Sequence, residues 1–129
     1  MNQPVSTIMH CPVIPVSMED TIEAVETMMK AKRISSAPVY DADGAILGVI
    51  TSTDLVKLHA TGRDPKSVRA WEICTYRPIE VTPDTTLERV AGLMLEHKVH
   101  HVMVMENEAL KGLVSALDFI KLYLRQQRG

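Results

Sequence analysis

Cysteine is scarce in this sequence, long apolar runs are missing, and neither sign of charge predominates. The two cysteines, Cys11 and Cys74, have no metal-type spacing and no partner cysteine nearby. This argues against a structural disulfide and for free thiols in a reducing, cytoplasmic setting. No apolar stretch approaches the ~20 residues that a membrane-spanning helix needs. The N-terminal MNQPVSTIMHCP lacks the positive start and apolar run of a secretory signal. Net charge is only −2, and the longest basic stretch, Lys30 to Arg33, is interrupted by Ala31. Neither nucleic acid nor an anionic membrane is generally attracted by that balance, so neither is expected as a partner. Catalytic motifs are missing as well: no Ser-His-Asp set, paired carboxylates or phosphate loop stands out. His100, Asp118 and Cys74 would converge only by assumption, so the expected function is not an enzymatic one.

What is present is a sizeable apolar fraction, 46% of 129 residues, enough to bury a real core. Aromatics are few, and Met28, Met29 and Met94 read as flexible core filler in their stead. Above all, the chain repeats itself. Shifted by 65 residues, Ile8 falls on Ile73, Ile14 on Ile79, Val16 on Val81 and Thr21 on Thr86. Glu23, Val25, Met29 and Val39 likewise meet Glu88, Val90, Met94 and Val104. One residue is lost near Gly44. Beyond it Gly48, Asp54, Lys57 and Leu58 match Gly112, Asp118, Lys121 and Leu122.

Each copy has one grammar. A short extended piece comes first, VIPVS or PIEVT, with Pro15 or Pro83 limiting its pairing to an edge or end. A helix follows, capped by Asp20 or Thr21 in one copy and by Asp84 or Thr85 in the other. Its apolar positions recur at helical spacing: Ile22, Val25, Met28 and Met29, then Leu87, Val90, Ala91, Met94 and Leu95. Two β-rich runs surround Asp43-Gly44 in the first copy and Asn107-Glu108 in the second, as hairpins do. DLVKLHA and ALDFIKLYLRQQ supply the last helices. The expected class is therefore α+β, with strand, helix, strand, strand, helix occurring twice. Residues 4–60 form the first repeat, 61–69 a connector and 70–126 the second. Each half is marginal as an independent core, so the two are expected to pack sheet to sheet. The wide apolar faces of Met28/Met29 and Leu93 to Leu95 favour a second chain, a homodimer. Trp71 reads as a packing anchor rather than a base-stacking platform.

The motif GVITSTD at 48–54 returns as GLVSALD at 112–118. Each run is a strand that stops where a helix begins. Unpaired N–H groups at a helix start favour an anion such as phosphate. A hydroxyl at Thr51 or Ser115 adds a donor. A carboxylate at Asp54 or Asp118 can accept from both vicinal hydroxyls of a ribose. The glycine lets the backbone run close to a neighbour. Capping alone also explains Ser, Thr and Asp at a helix start, and both readings stand at this point.

Taken whole, the pattern resembles a tandem pair of CBS domains, the regulatory modules named after cystathionine β-synthase. The resemblance covers residues 4–126 and rests on IMHCPVIPV, ICTYRPIEV, ISSAPVYDADGAILGVITSTDL and VHHVMVMENEALKGLVSALDF. It implies a pseudo-twofold disc with two clefts, ligands of the adenosyl class, dimers, and regulation of another protein that the sequence does not identify. AMP, ADP or ATP heads the expected ligands, followed by NAD or S-adenosylmethionine, and no other cofactor is expected. No attached catalytic domain is expected, since the pair resembles the module standing alone. Carried over by position, the base slot falls on Val13, Ile14, Ala37 and Pro38 in one copy. In the other it falls on Pro78, Ile79, Val102 and Met103. His100-His101 occupies the place where nucleotide-binding family members often carry a His-Arg pair. Three readings remain for that pair and His97: metal by helical spacing, phosphate contact, or ordinary solvated histidines. No metal is expected, because no nearby Cys or Asp completes a set. The first copy has Ser35-Ser36 there, whose hydroxyls can bond a phosphate without bringing charge. The two sites are therefore expected to be inequivalent.

Overall fold

A computed structural model describes residues 2–11, 13–76 and 78–128. The class is mixed α+β, with two sheets and five α-helices among the described residues. The chain forms two compact units. One is Ile14–Arg77, and the other joins Met1–Val13 to Pro78–Gly129.

In the unit Ile14–Arg77, β1 (Val16–Ser17) runs parallel to β2 (Ser36–Tyr40). Antiparallel β3 (Ile46–Thr51) and β4 (Thr75–Tyr76) complete the sheet in the order β1-β2-β3-β4. Helix α1 (Ile22–Lys32) starts at Thr21, whose Oγ1 accepts the Ala24 N–H at 3.2 Å. Asp20 instead accepts the Ser17 N–H, closing the preceding turn. Ile22, Val25 and Met29 share the inner face and are buried, as their spacing requires. The helix stops at Arg33, which takes the left-handed conformation at φ 55°. Helix α2 (Ser52–Thr61) ends at Gly62, φ 77°, where a side chain would be strained. Short α3 (Ala70–Ile73) buries Ala70 against the same core. The stretch before α3 is not loose: the Val68 carbonyl accepts the Ile22 N–H at 2.9 Å, and Val68 is buried.

In the other unit, β5 (Glu80–Val81), β6 (His101–Glu106) and β7 (Ala109–Ser115) form a three-stranded sheet, parallel then antiparallel. Helices α4 (Leu87–His97) and α5 (Ala116–Arg128) accompany it. Asn107 and Glu108, both at positive φ, make the tight two-residue hairpin turn between β6 and β7. The cap of α4 is Thr86, not Asp84 or Thr85. Those two residues are already spent on the turn before it, where Thr82 Oγ1 donates to Asp84 and the Thr82 N–H donates to Thr85 Oγ1. The 3-10 turn Val5–Thr7 belongs to this unit, with Val5 fully buried beside Leu87, Val90 and Val114.

The leading segments of the two repeats play matching parts. His10 forms a bridge to Leu113, as Thr75 pairs with Val49; Pro4 bridges to Thr86, as Thr21 does to Arg69. Both motif glycines serve this arrangement. A Cβ on Gly48 would lie 2.2 Å from the Thr75 carbonyl oxygen, and one on Gly112 would lie 2.8 Å from that of His10.

Trp71 departs from the expected packing anchor. It is 42% exposed on α3, because the inward positions of that short helix are taken by Ala70 and, just beyond it, Cys74. The wide apolar faces resolve unevenly: Met29 and Met94 are core, while Leu95 is 82% exposed.

Candidate functional site

The carboxylate of each repeat lies where a strand hands over to a helix. Thr51 ends β3 and caps α2 through a reciprocal box. The Asp54 N–H donates to Thr51 Oγ1 at 3.3 Å, and the Thr51 N–H donates to Asp54 Oδ2 at 2.8 Å. Thr51 Oγ1 also donates to Oδ2, at 3.0 Å. Oδ1 of Asp54 has no hydrogen-bond partner among the described residues. The second repeat rebuilds the arrangement with Ser115, whose N–H and Oγ donate to Asp118 Oδ2 at 2.7 and 3.2 Å. Capping is therefore real in both copies, but it occupies one carboxylate oxygen and leaves the other to other partners. Neither carboxylate projects into bulk water: Asp54 is half-buried, and Asp118 is only 5% exposed.

Around each carboxylate the strand ends bring the expected polar residues together. Ser36 stands opposite Thr51 in register, and the Ser35 carbonyl accepts the Ser52 N–H at 3.0 Å. His101 stands opposite Ser115, and the His100 carbonyl accepts the Ala116 N–H at 2.9 Å. His100 is exposed, His101 half-buried, and Ser35 and Ser36 half-buried. Among the described residues no three His, Cys, Asp or Glu side chains converge as a metal site needs.

The residues expected to hold a base divide by sheet face. Ala37 and Val102 lie in the hydrophobic cores, fully buried with Val39 and Val104. Their side chains cannot line a slot, because strand alternation turns them toward the helices; only their backbone is left for a ligand. Pro38 and Met103 lie on the opposite faces, paired with Val49 and Leu113. Ile79 accepts the Met103 N–H at 2.9 Å through its carbonyl. Pro38, at the matching place, has no N–H to give Ile14. Val13, Ile14, Pro78 and Ile79 are half-buried and precede β1 and β5 rather than forming part of them.

His10 is the residue that sequence reasoning missed. Its Nε2–H donates to Asp118 Oδ1 at 2.5 Å, although His10 itself is 61% exposed. The pair lies in a cavity of about 470 Å³ that Lys121 and Arg125 also line. In the sequence His10 simply aligns with Thr75; its place over Asp118 is set by the bridge to Leu113 beside Gly112.

Glu72 and Cys74, in the unit Ile14–Arg77, are among the groups with displaced acidities. The Arg69 N–H donates to Glu72 at 2.7 Å and holds its carboxyl below the usual range, with help from Arg63 at 3.3 Å. Burial pushes the Cys74 thiol up, so it remains protonated at neutral pH.

A duplicated α+β unit that presents a hydroxyl and a carboxylate at each strand exit defines a tandem pair of one small module. The CBS domain matches at residues 5–60 and 70–125, and the chain belongs to the CBS-domain family. It is 28% identical over 115 residues to Hypoxic response protein 1 of Mycobacterium tuberculosis, covering 88% of this chain and 80% of that one. A hexameric CBS-CP12 protein from bloom-forming cyanobacteria superposes with a TM-score of 0.86 at 27% identity, covering 94% of this chain and 72% of that one. The CBS pair of protein MJ0100, solved with 5′-methylthioadenosine and S-adenosyl-L-methionine, superposes at 0.82 with 24% identity, covering 94% and 99%. No helix among the described residues is long and apolar enough to cross a membrane.

Proposed function

We propose that this CBS pair senses an adenosyl compound and passes its occupancy to a partner protein. The observation that carries the reading is the strand-exit carboxylate of Asp54. One of its oxygens is fixed by Thr51, and the other has no partner among the described residues, beside the first turn of α2. A rigid carboxylate with a spare oxygen suits a ribose diol, and the helix start suits a phosphate or other anion. Ser35 and Ser36 add hydroxyl donors at the same strand end. Pro38 and Ile14 supply apolar surface and backbone for a base. In the second repeat the corresponding set is Asp118, Ser115, His100, His101, Met103, Pro78 and Ile79. The ligands bound by MJ0100 support the same class, which includes AMP, ADP, ATP, NAD and S-adenosylmethionine. Occupancy shifts the equilibrium between conformations, or between free and partner-bound chain, by the ligand's differential affinity for them.

A thermal-shift series with those five compounds tests the reading. A ligand at a hundred times its Kd stabilises the fold by about 2.7 kcal/mol, a rise of several degrees in Tm. A flat response to all five would favour a second reading, an interaction module without a small ligand. That reading has its own support in α5, where Leu117, Ile120 and Leu124 stand exposed at helical spacing. Both readings accommodate a homodimer through such a face, which sedimentation of the purified chain would reveal.

A further inference from the structure

The two carboxylates differ in what already occupies them. Asp118 has both oxygens engaged, Oδ2 by Ser115 and Oδ1 by His10. Asp54 has only Oδ2 engaged among the described residues. The cause lies in the leading segments. Gly112 admits the His10 carbonyl and the Met9 side chain, and the His10–Leu113 bridge then sets the imidazole over Asp118. Gly48 admits Thr75 in the same way, but no hydrogen bond joins the shorter Thr75 side chain to Asp54. A histidine in one copy, where the other has a threonine, thus decides whether the carboxylate is covered.

Resting on the adenosyl reading above, we propose that His10 is an internal latch over Asp118, so that the chain takes one ligand at Asp54 and admits a second at Asp118 only when His10 leaves. The exchange is physically accessible. The imidazole is mostly exposed and can rotate into water, whereas the carboxylate it covers is buried. A ribose diol would replace one charge-assisted hydrogen bond with two of comparable kind. Lys121 and Arg125 line the same cavity, so a vacated Asp118 stands beside two cations that suit a phosphorylated ligand. The groups facing His10 in that cavity are thus Asp118, Lys121 and Arg125, all from α5.

Calorimetric titration with AMP and with S-adenosylmethionine tests the latch, using wild type, Asp54→Ala, Asp118→Asn, His10→Thr, and His10→Thr combined with Asp118→Asn. Each variant's Tm is checked first, to confirm that it folds. The expected stoichiometry is one for wild type and for Asp118→Asn, none for Asp54→Ala, and two for His10→Thr, falling back to one in the double variant. Two equal sites in wild type, or an unchanged stoichiometry in His10→Thr, would overturn the latch. A ligand-free readout separates this from failure of the adenosyl reading. In nitrogen-15 spectra of the imidazoles, Asp118→Asn should shift the His10 signals and Asp54→Ala should not. Unshifted His10 signals overturn the latch outright. Shifted signals with no binding by wild type or His10→Thr leave the His10–Asp118 contact standing but overturn its role over this ligand class.

Discussion

Serines and a threonine rim the strand-exit site that holds Asp54; histidines rim the one that holds Asp118. Several residues that hold the shared fold recur in both: Thr21 and Thr86 as caps, Val25 and Val90 in the cores, Gly48 and Gly112 under the neighbouring backbone. At the rim of the carboxylates the copies differ in Thr75 against His10, Ser35-Ser36 against His100-His101, and Pro38 against Met103. A ligand meets the rim rather than the buried core, so the difference at the rim is where the copies can acquire separate tasks.

Four expectations sharpen that comparison. The largest effect belongs to the glycines. Gly48→Ala places a methyl 2.2 Å from a backbone oxygen, and Gly112→Ala places one 2.8 Å from a backbone oxygen and from the Met9 sulfur. Urea denaturation should show Gly48→Ala losing about 3 kcal/mol or more, at the upper end for single substitutions. Gly112→Ala should lose roughly half of that. Equal small losses would mean that the leading segments are not held close.

Next come the carboxylates in the absence of ligand. Asp118 is the more deeply buried and accepts from both Ser115 and His10, so Asp118→Ala should cost about 2–3 kcal/mol. Asp54→Ala removes one side of a capping box and should cost about 1 kcal/mol. The reverse order in thermal or urea unfolding would contradict the hydrogen-bond assignment.

Glu72 gives a pH-dependent effect confined to the first repeat's unit. Its carboxyl is held low, chiefly by the Arg69 N–H. The stabilisation it adds is therefore present above the unfolded-state value and is lost as pH falls through the lower folded value. Glu72→Gln should be less stable than wild type at pH 7, and the gap should shrink on acidification toward pH 3. A gap that widens with acid would refute that sign.

The smallest effect is chemical. Cys11 is exposed, whereas Cys74 is buried with its thiol pushed up. Iodoacetamide at neutral pH should label Cys11 well before Cys74 in the folded chain, as mass spectrometry of timed digests would show.

Much of this architecture was legible before any coordinates, because it is set locally. Helical spacing, the Asn107-Glu108 turn and the positive-φ stops are written within a few residues of where they act. The capping threonine of α4 was misplaced by one residue, since three hydroxyl or acidic side chains in a row compete and only the turn geometry decides among them. The burial of Ala37 and Val102 follows from alternation with Val39 and Val104, which turns all four toward the helices and away from a base slot. His10 was illegible for a different reason: it lies within the first repeat in sequence but serves the unit that holds the second. Only the long-range bridge to Leu113 reveals that assignment.

The most direct test is a crystal structure of the chain grown with AMP or S-adenosylmethionine at saturating concentration. The account predicts ribose hydroxyls within hydrogen-bonding distance of the Asp54 carboxylate. Ligand held elsewhere, with Asp54 bonded to nothing but Thr51 and water, would contradict it.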